Sequence, residues 1–596
     1  MSSSSSSSTP SDANTTPATN GEDAAAAAAI AAMHQLLAHQ KFRSEEAVQY
    51  FAIGISALII LSANIHWSRV LYRRYAAKGL RRSGLGQSQV SMARKARRAL
   101  LQRVPPFPSL GHGILVVSYQ LINVACLLSN MRYHSALQLA KRFGWMAIAN
   151  IVLVTFLALK NTPLAFLTAY SHDRLNVLHR VAGYTTVLLI LLHGILMSVA
   201  SHEANLHHIL EGQTAAYGIT AGAAAVVSAL CATFVRRARY ELFYVSHVLM
   251  FIVLIISVGL HQPGLSNRVA IMTLLAGALW SSDRILRACR LLWYSYDNRA
   301  VITPLPRGGT RIVLSRSPSR AVPGTHCFLW IPQIRFAETH PFTIVSTSGA
   351  SVTLVISAQH GFTDDLYRYA LQNTGAVLRA SIDGPYGAPP RCTEGADKLI
   401  LLAGGSGASF TCGVALEAIK KLADRPHTTI DFIWTVREQE NLSWFAEELA
   451  QLRASGRVNI TLHATRPPPS SSQASLADDG ATLVSPSSYH DVEKQLASAD
   501  GQPEPWAFDL GSRPVPAPPG SAPSPTEAWS KCREPLAVLP GRPDVRGIIK
   551  NIVSAARDDE RVAIAACGPE QLMQSVRRTA ADCTTLTGPS IELHLE

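Results

Sequence analysis

Seven apolar stretches, separated by polar loops, dominate the first half of the chain. Six of them are uncharged windows, at residues 47–68, 104–131, 143–159, 181–202, 212–235 and 242–267. Five exceed the roughly 20 residues that a spanning helix needs, and the third continues past Lys160 into another uncharged stretch. A seventh window, 269–282, is shorter and extends past three arginines to Leu291. The pattern predicts seven transmembrane helices.

The charges in the connecting loops predict the orientation of these helices. Residues 69–110 hold eleven Lys or Arg and no acidic residue, whereas residues 201–214 hold neither Lys nor Arg. Because basic loops stay in the cytosol, we expect the N-terminus outside and the C-terminus in the cytosol. The membrane is expected to be the plasma membrane. The net charge of +13 therefore indicates a bilayer rather than nucleic acid as the partner. Nine cysteines without a CxxC pair indicate neither a disulfide framework nor a zinc site.

Beyond residue 297 the pattern changes to that of water-soluble domains. Alternating β-branched runs predict an antiparallel β-barrel over residues 297–390. From 391 to 596 strands, glycine turns and helices alternate, which predicts an α/β domain with a parallel sheet. Residues 466–541, with 14 prolines, are expected to be a disordered insertion in that domain, and residues 1–46 a disordered outer segment. The membrane region is then 47–296, with its core from about 104 onward.

Four histidines lie inside the predicted membrane helices at matched spacing. His179 and His193 share the fourth helix, His247 and His261 share the sixth, and both pairs are 14 residues apart. In an α-helix this spacing rises about 21 Å and falls about 40° short of four full turns. Each helix therefore presents two histidines on nearly one face, one toward each membrane surface. Since both helices run the same way, His179 should face His247 and His193 should face His261.

Ionisable groups inside a membrane usually have partners, and neutral imidazole is a common haem ligand. The four histidines therefore predict two stacked six-coordinate haems. For any one of them alone, a hydrogen-bonded core or interface position is the alternative interpretation.

Two further motifs have the character of a flavin site. His340-Pro341-Phe342-Thr343 falls on a predicted strand, where a Thr and the backbone can bond a flavin ring edge. Gly361-Phe362-Thr363 falls at a predicted helix start, where N–H groups can donate to phosphate. A third segment, 383–387, is expected to form a turn.

Two glycine turns indicate a nicotinamide-nucleotide site in the α/β domain. Gly404-Gly405-Ser406-Gly407 follows one apolar strand and Cys567-Gly568-Pro569 follows another. Ligands of parallel sheets bind at the carboxyl ends of strands, so both turns are expected to line one crevice. Arg437 and Arg542 are candidates to hold a 2′-phosphate or pyrophosphate, with a solvated surface position as the alternative.

Taken in this order, the two H-x13-H helices, HPFT, the GGSG turn and the CGP turn resemble fungal ferric reductases, relatives of plant ferric-chelate reductases and NADPH oxidases. The resemblance runs from about residue 47 to 596, apart from the insertion. It implies a haem-bearing helical bundle joined to a cytosolic ferredoxin-reductase-like module. It further implies that electrons pass from NADPH to FAD and through two b-type haems, held by the four histidines, to a ferric chelate, a siderophore or Cu(II) outside.

The resemblance also implies the roles of the motifs. HPFT and the GFT turn would hold FAD, and the GGSG and CGP turns would contact NADPH. Many members carry Lys or Arg shortly before the GFT turn, where this chain has Gln359 and His360. We expect weaker phosphate binding there. Relatives usually extend to an aromatic residue over the flavin, and without one we expect an open flavin face.

Two alternatives remain open. The first is an NADPH oxidase that makes superoxide; the second histidine pair is usually spaced H-x12-H in that group, so the two H-x13-H pairs favour a metal reductase. The second is a non-catalytic scaffold or channel, which intact motifs at all three cofactor sites argue against.

Overall fold

The computed structural model describes residues 18–75, 95–466, 506–508 and 536–596, apart from short gaps at 97, 101, 103, 106, 108, 130–134, 169, 171, 206–207, 263–267, 319, 388–394, 422–426 and 586–587. The chain divides into two units. The first holds most of the long apolar helices, and the second holds two sheets with their helices.

The described residues of the first half of the chain form seven long helices: α1 (Ala18–Tyr75), α2 (Leu110–Leu128), α3 (Ala136–Ala158), α4 (His172–Glu203), α5 (Gln213–Leu230), α6 (Tyr240–His261) and α7 (Arg268–Ser295). Each has the length and apolar composition to cross a membrane. A single π-turn, Cys231–Val235, extends α5. Short helices cover Leu164–Thr168, His208–Glu211 and Arg236–Ala238. The prediction of seven membrane helices is confirmed.

Helix α1 begins well before its apolar window. The sequence predicts disorder to residue 46, but the helix already runs from Ala18. Residues 24–29 are six consecutive alanines, and alanine has the highest helix propensity of all residues. Residues 1–17 lie outside the described residues.

Buried polar contacts hold α2 against α3. The Tyr119 hydroxyl donates to Asn150 Oδ1 over 2.6 Å, and Asn150 Nδ2 donates to Asn123 Oδ1 over 2.8 Å. Both asparagines are buried, so each amide needs such a partner. Ile148 and Ile151 of α3 pack in the same unit against Ala276 of α7.

The first sheet of the second unit is antiparallel and has seven strands. They are β1 (Arg299–Leu305), β2 (Gly309–Leu314), β3 (His326–Trp330), β4 (His340–Ser348), β5 (Ser351–Ser357), β6 (Val377–Arg379) and β7 (Ser381–Tyr386). Their order across the sheet is β6-β1-β2-β5-β4-β3-β7, and α8 (Phe362–Gln372) packs its apolar face on this core. The predicted turn at 383–387 is wrong, because residues 383–386 belong to β7. Asp383 and Tyr386 pair with β3 on either side of an irregularity in the register.

The second sheet has the predicted parallel arrangement. Its strands are β8 (Lys398–Gly404), β9 (Thr429–Val436), β10 (Val458–Ala464), β11 (Trp506–Phe508), β12 (Leu536–Pro540), β13 (Arg561–Cys567) and β14 (Ser590–Leu595). The order is β11-β12-β10-β9-β8-β13-β14, and among these described strands only β11 is antiparallel to its neighbour. Its helices are α9 (Ala408–Lys421), α10 (Ala446–Ala454), α11 (Val545–Ser554) and α12 (Glu570–Cys583).

The end of the predicted insertion belongs to this sheet. Leu462 of β10 pairs with Val538 of β12, which is fully buried, and β11 adds a further strand. The apolar run Leu536–Pro540 can bury its side chains on the sheet despite the prolines around it. The predicted disorder is therefore wrong for 506–508 and 536–540, and residues 467–505 and 509–535 lie outside the described residues.

Candidate functional site

The four intrahelical histidines form two pairs in the first unit. His179 of α4 faces His247 of α6, with ring centroids 6.4 Å apart. His193 faces His261 at 6.3 Å, and both pairs have planes at 75°. We call His179–His247 the inner pair and His193–His261 the outer pair, after the predicted topology. The two facing pairs expected from the 14-residue spacing are thus present.

The orientation of each imidazole is set by a bond at Nδ1. The Nδ1 atom of His179 lies 3.0 Å from the Val154 carbonyl oxygen, and that of His193 lies 2.7 Å from the Ala140 carbonyl oxygen. Since a carbonyl only accepts, Nδ1 carries the proton in both rings. In a neutral ring of this tautomer the lone pair lies on Nε2, the atom that a metal ligand uses.

The two histidines of α6 follow the same rule with different partners. His261 Nδ1 lies 2.5 Å from the Thr214 carbonyl oxygen. His247 Nδ1 lies 2.7 Å from the Ser228 hydroxyl. A hydroxyl can donate or accept a hydrogen bond. His247 of the inner pair therefore differs from the other three histidines, whose Nδ1 atoms contact carbonyl oxygens. Ser228 is not among the predicted site residues, because a hydroxyl 19 residues before a candidate ligand gives no spacing signal.

The ring separations fit two imidazoles that share one metal ion. A metal–imidazole bond is about 2.0 Å and the ring centre lies about 1.2 Å behind the bonding nitrogen, so two rings on opposite sides of one ion have centroids about 6.4 Å apart. Both pairs match that separation. Paired neutral imidazoles with fixed Nδ1 protons form a donor set that suits six-coordinate haem iron, so the residues present fit a haem at each level.

Two glycines make room for the outer pair. A Cβ on Gly144 of α3 would lie 3.0 Å from His193 Cε1, and one on Gly218 of α5 would lie 2.7 Å from His261 Cε1. A neighbouring side chain would therefore push either ring from its place. Neither glycine is among the predicted site residues, although each stands in a predicted apolar helix.

A cavity of about 990 Å³ adjoins the outer pair. His193 and His261 line it, together with Gly144 and Gly218. Its remaining walls combine apolar side chains such as Ile148 with basic ones. The outer pair thus borders a space of small-molecule size, which for such sites is about 300–1,000 Å³.

The two predicted flavin motifs meet in the first sheet of the second unit. The ring of His340, the first residue of β4, stacks on Phe362 at 4.6 Å, and Phe342 stacks on Phe362 at 6.2 Å. Pro341 is exposed and Thr343 half-buried. Gly361 has φ +68° and precedes α8 as predicted. Strand β4 and the start of α8 therefore form one surface.

Thr363 and Arg335 complete this surface. The Thr363 hydroxyl accepts from the Gln359 backbone N–H at 2.9 Å, which closes the turn before α8. Arg335, absent from the sequence prediction, donates to Asp365 in the first turn of α8 at 2.9 Å and to Glu338 at 2.9 Å. A cation therefore does lie beside α8, although the chain lacks one just before Gly361.

Glu338 is held ionised at this edge. Burial alone would raise the pKa of its carboxyl, but hydrogen bonds from Arg335 and His340 outweigh that effect and lower the pKa. His340 Nε2 lies 3.0 Å from Glu338 Oε2, so the first residue of HPFT is oriented by a carboxylate.

The two glycine turns of the α/β domain lie side by side. Strands β8 and β13 pair in parallel, so Gly404-Gly405-Ser406-Gly407 and Cys567-Gly568-Pro569 follow them at the same edge. A Cβ on Gly407 would lie 2.2 Å from the Cys567 carbonyl oxygen, and one on Gly404 would lie 2.6 Å from Pro569 Cδ. The turns therefore touch, as expected for one crevice, and Ser406 is exposed there.

The two candidate arginines are placed differently. Arg437 directly follows β9, the neighbour of β8, and is exposed. Arg542 is also exposed but follows β12, which is separated from β8 by β10 and β9. Strand order therefore brings Arg437 next to the GGSG turn and leaves Arg542 farther along the sheet edge.

A buried ion pair joins the first sheet to a helix of the α/β domain. Arg311 of β2 donates two hydrogen bonds to Glu448 of α10 through Nη2, at 2.7 and 2.8 Å. Both side chains are almost fully buried. Nearby, Trp444 Nε1 donates to the Pro306 carbonyl oxygen at 2.8 Å, and a Cβ on Gly309 would lie 2.6 Å from the Trp444 ring. These contacts, which sequence reasoning missed, fix the flavin-type sheet against the nucleotide-type domain.

Three family models match the chain in sequence order. They are a ferric reductase like transmembrane component over residues 143–258, an FAD-binding domain over 302–390 and a ferric reductase NAD binding domain over 396–581. The first covers His179, His193 and His247 and ends three residues before His261. The second covers HPFT and the GFT turn, and the third covers both glycine turns.

Curated relatives come from fungi. The chain is 27% identical over 380 residues to a probable cell surface ferric reductase kap2 of Aspergillus oryzae, covering 58% of this chain and 50% of that protein. It is 25% identical over 343 residues to a ferric/cupric reductase transmembrane component 1 of Candida albicans, covering 55% and 43%. The chain thus spans about half the length of the curated relatives it matches.

Among solved structures, a ferredoxin NADP+ reductase from Neisseria gonorrhoeae with bound FAD and NADP is 15% identical. The match covers 50% of this chain and 97% of that one, at a TM-score of 0.30. A likeness at that score adds nothing to the fold described above.

The seven apolar helices and the transmembrane family model identify an integral membrane protein. FAD-binding and NAD-binding domains follow the helices along the chain, in the order that the motifs predicted. On these grounds the chain is similar to ferric reductases in its transmembrane, FAD-binding and NAD-binding parts.

Proposed function

We propose that this protein transfers electrons across a membrane, from cytosolic NADPH through FAD and two b-type haems to a ferric acceptor outside. The observation that carries the proposal is the pairing of four histidines at 6.3–6.4 Å. Each ring is fixed through Nδ1 by a separate partner. A structural role for isolated histidines would not produce the same geometry twice at two levels.

The proposal assigns each cofactor to residues described above. The inner and outer pairs would each hold one haem. His340, Pro341, Phe342 and Thr343 with Gly361, Phe362 and Thr363 would hold FAD. Gly404, Gly405, Ser406, Gly407, Cys567, Gly568 and Pro569 would contact NADPH, with Arg437 and Arg542 as candidates for its phosphates.

The bound cofactors supply the redox chemistry, namely hydride acceptance by flavin and one-electron transfer by haem iron. The chain's own residues position them. The Nδ1 partners keep the imidazoles neutral and aimed, and the touching glycine turns offer backbone N–H groups to a pyrophosphate. The Arg311–Glu448 pair holds the two nucleotide-binding domains in register. No residue of the chain is required as a general acid or base.

Two features support the direction and location of transfer. The basic loop 69–110 and the loop 201–214 without Lys or Arg favour a cytosolic C-terminus. The relative from Aspergillus oryzae carries the words "cell surface" in its name, which supports the plasma membrane.

Fe(III) is the favoured acceptor, and Cu(II) is a second one. The name of the relative from Candida albicans includes both ferric and cupric reduction. The equal 14-residue spacing in α4 and α6 favours metal reduction over superoxide production. Measuring Fe(II) formation and superoxide in the same membranes decides between them.

His193→Ala tests the proposed path. Loss of one outer-pair ring should abolish ferric reduction, while NADPH oxidation by soluble dyes, which take electrons from flavin, should persist. The equivalent control is His202→Ala, which changes a histidine of α4 that belongs to neither pair. Full ferric reduction by His193→Ala would show that the electron path is not the one proposed.

A further inference from the structure

A basic cavity of about 520 Å³ lies in the second unit, and none of the residues proposed to hold a cofactor lines it. We call it the arginine cavity, after the four arginines in its lining: Arg98, Arg546, Arg577 and Arg578. Among the described residues that line it, Asp582 is the only acidic one. The cavity therefore presents a net positive field to any molecule that enters it.

The arginines of this cavity come from three separate segments of the chain. Arg98 precedes α2 in the basic loop, Arg546 lies in the first turn of α11, and the other two lie in α12. Helices α11 and α12 share one apolar cluster that includes Ile549 and Val576. Since like charges repel, bringing these segments together costs free energy, which a bound anion would offset.

The segment that carries Arg98 is fixed against the start of a membrane helix. The backbone N–H of Leu110, the first residue of α2, donates to the Gln102 carbonyl oxygen at 2.8 Å. Gln102 and Pro105 both line the arginine cavity. Since α2 has the length and composition to cross a membrane, the proposed topology places this cavity at the cytosolic surface of the bilayer.

Three of the arginines lack an anionic partner in the described part of the chain. Arg98, Arg546 and Arg578 are exposed, and none of them forms an ion pair with any residue that the structure describes. The Asp582 carboxylate, one turn beyond Arg578 in α12, forms no ion pair with a described residue either. The one acidic group of the lining therefore does not neutralise these guanidinium groups by direct contact.

We propose that the arginine cavity binds an anion with two or more phosphate groups, held by guanidinium groups of the basic loop and of the α/β domain together. A guanidinium pairs with phosphate oxygens through two parallel hydrogen bonds. The volume of about 520 Å³ lies within the range of small-molecule sites, about 300–1,000 Å³. Such an anion would link the segment before α2 to α11 and α12.

The same phosphate chemistry has two sources in the cytosol. One is the headgroup of an inositol phospholipid, because basic clusters directly beside a membrane helix bind such headgroups. The other is a soluble inositol phosphate. The proposal concerns their shared phosphates and depends neither on the haems nor on the electron acceptor.

The test measures the dissociation constant of inositol trisphosphate by calorimetry. The full chain is held in nanodiscs of phosphatidylcholine, which has no net charge, at constant ionic strength. One arginine from each segment is changed, in Arg98→Gln, Arg546→Gln, Arg578→Gln and the triple variant. Each basic residue beside an anionic headgroup is worth about a fivefold change in affinity. Each single variant should therefore raise the constant about fivefold, and the triple variant about 100-fold.

Two further variants are controls for this measurement. Lys550→Gln removes a positive charge one turn beyond Arg546 on α11, at an exposed position outside the cavity lining. Its dissociation constant should stay within twofold of wild type. Asp582→Asn removes the negative charge of the lining and should lower the constant by about two- to fivefold. A gain of affinity in Asp582→Asn cannot come from a damaged fold.

A second arm identifies the source of the phosphates. The titration is repeated in nanodiscs that also contain phosphatidylinositol bisphosphate, with phosphatidylserine discs of equal total charge as the reference for surface repulsion. If the lipid headgroup fills the cavity, the soluble probe loses affinity for wild type but not for the triple variant. Equal constants in both kinds of disc identify a soluble inositol phosphate as the ligand.

Three results overturn the proposal. The first is a wild-type protein that does not bind inositol trisphosphate, or a triple variant with an unchanged dissociation constant. The second is an equal weakening in Lys550→Gln, because the effect would then be one of general charge. The third is loss of NADPH-driven reduction of soluble dyes in the triple variant, because the arginines would then belong to the nucleotide site.

Discussion

Gly218→Ala is expected to weaken haem binding at the outer pair and leave the inner pair unchanged. The added Cβ would lie 2.7 Å from Cε1 and 2.8 Å from Nδ1 of His261. Ordinary contacts of that kind are 3.4 Å or longer, so the ring must move by more than half an ångström. Its bond to the Thr214 carbonyl oxygen opposes that movement.

The size of the effect follows from overpacking. Forcing a methyl group into a packed site costs about 1–3 kcal/mol, and each 1.4 kcal/mol is about tenfold in an equilibrium constant. We therefore expect haem affinity at the outer pair to fall by about five- to 150-fold, because the displaced Nε2 no longer points at the iron. The inner pair lies on other turns of the helices and should keep its haem.

The assay is haem content per chain by pyridine haemochrome, with the reduced-minus-oxidised spectrum alongside. Wild type should give two haems per chain, and Gly218→Ala should give fewer than two, falling toward one when free haem is removed. Gly222→Ala, one turn along α5 with its nearest neighbour at 3.7 Å, and Gly194→Ala, with nothing within 4 Å, should both keep two. Two haems with an unaltered spectrum in Gly218→Ala would refute the assignment of His261 as a ligand.

Three further changes test other parts of the account. Ser228→Ala removes the Nδ1 partner of His247 and should lower haem affinity at the inner pair by about 10–100-fold, measured by titrating haem into the haem-depleted protein. Gly407→Ala places a Cβ 2.2 Å from the Cys567 carbonyl oxygen and should suppress NADPH-driven, but not dithionite-driven, iron reduction. Burial, then Arg287 and Arg284, lower the pKa of Lys160 from 10.5 to about 7. The unfolded chain therefore binds more protons between those values, so stability rises from about pH 7 to 10. Lys160→Met should flatten that rise in thermal unfolding, and an unchanged pH profile would count against the burial of Lys160.

The repeating patterns of the chain were sufficient to predict its main elements. Apolar windows of spanning length identified the seven helices, and the 14-residue spacing in α4 and α6 identified the facing histidines, because both depend on local helix geometry. Strand alternation and glycine turns likewise identified the antiparallel and parallel sheets. In each case the pattern depends on residues within one helix or strand, so tertiary contacts do not alter what it predicts.

Features that depend on contacts between distant segments could not be predicted from the sequence in this way. Gly144, Gly218 and Ser228 act on histidines of other helices, so nothing in their own surroundings marks them. The Arg311–Glu448 pair joins residues 137 apart. Strand β12 was not predicted, because Leu536–Pro540 is apolar but lies among prolines. Its extended conformation depends on pairing with β10, which is distant in sequence.

The central claim, electron transfer across the bilayer, is tested most directly in sealed proteoliposomes. Fe(III)–EDTA and a membrane-impermeant Fe(II) indicator are trapped inside, and NADPH is added outside, where it reaches only chains whose nucleotide domains face outward. The account predicts Fe(II) in the lumen on NADPH addition, and none with His193→Ala. Fe(II) that forms only when the chelate shares the NADPH compartment would contradict it.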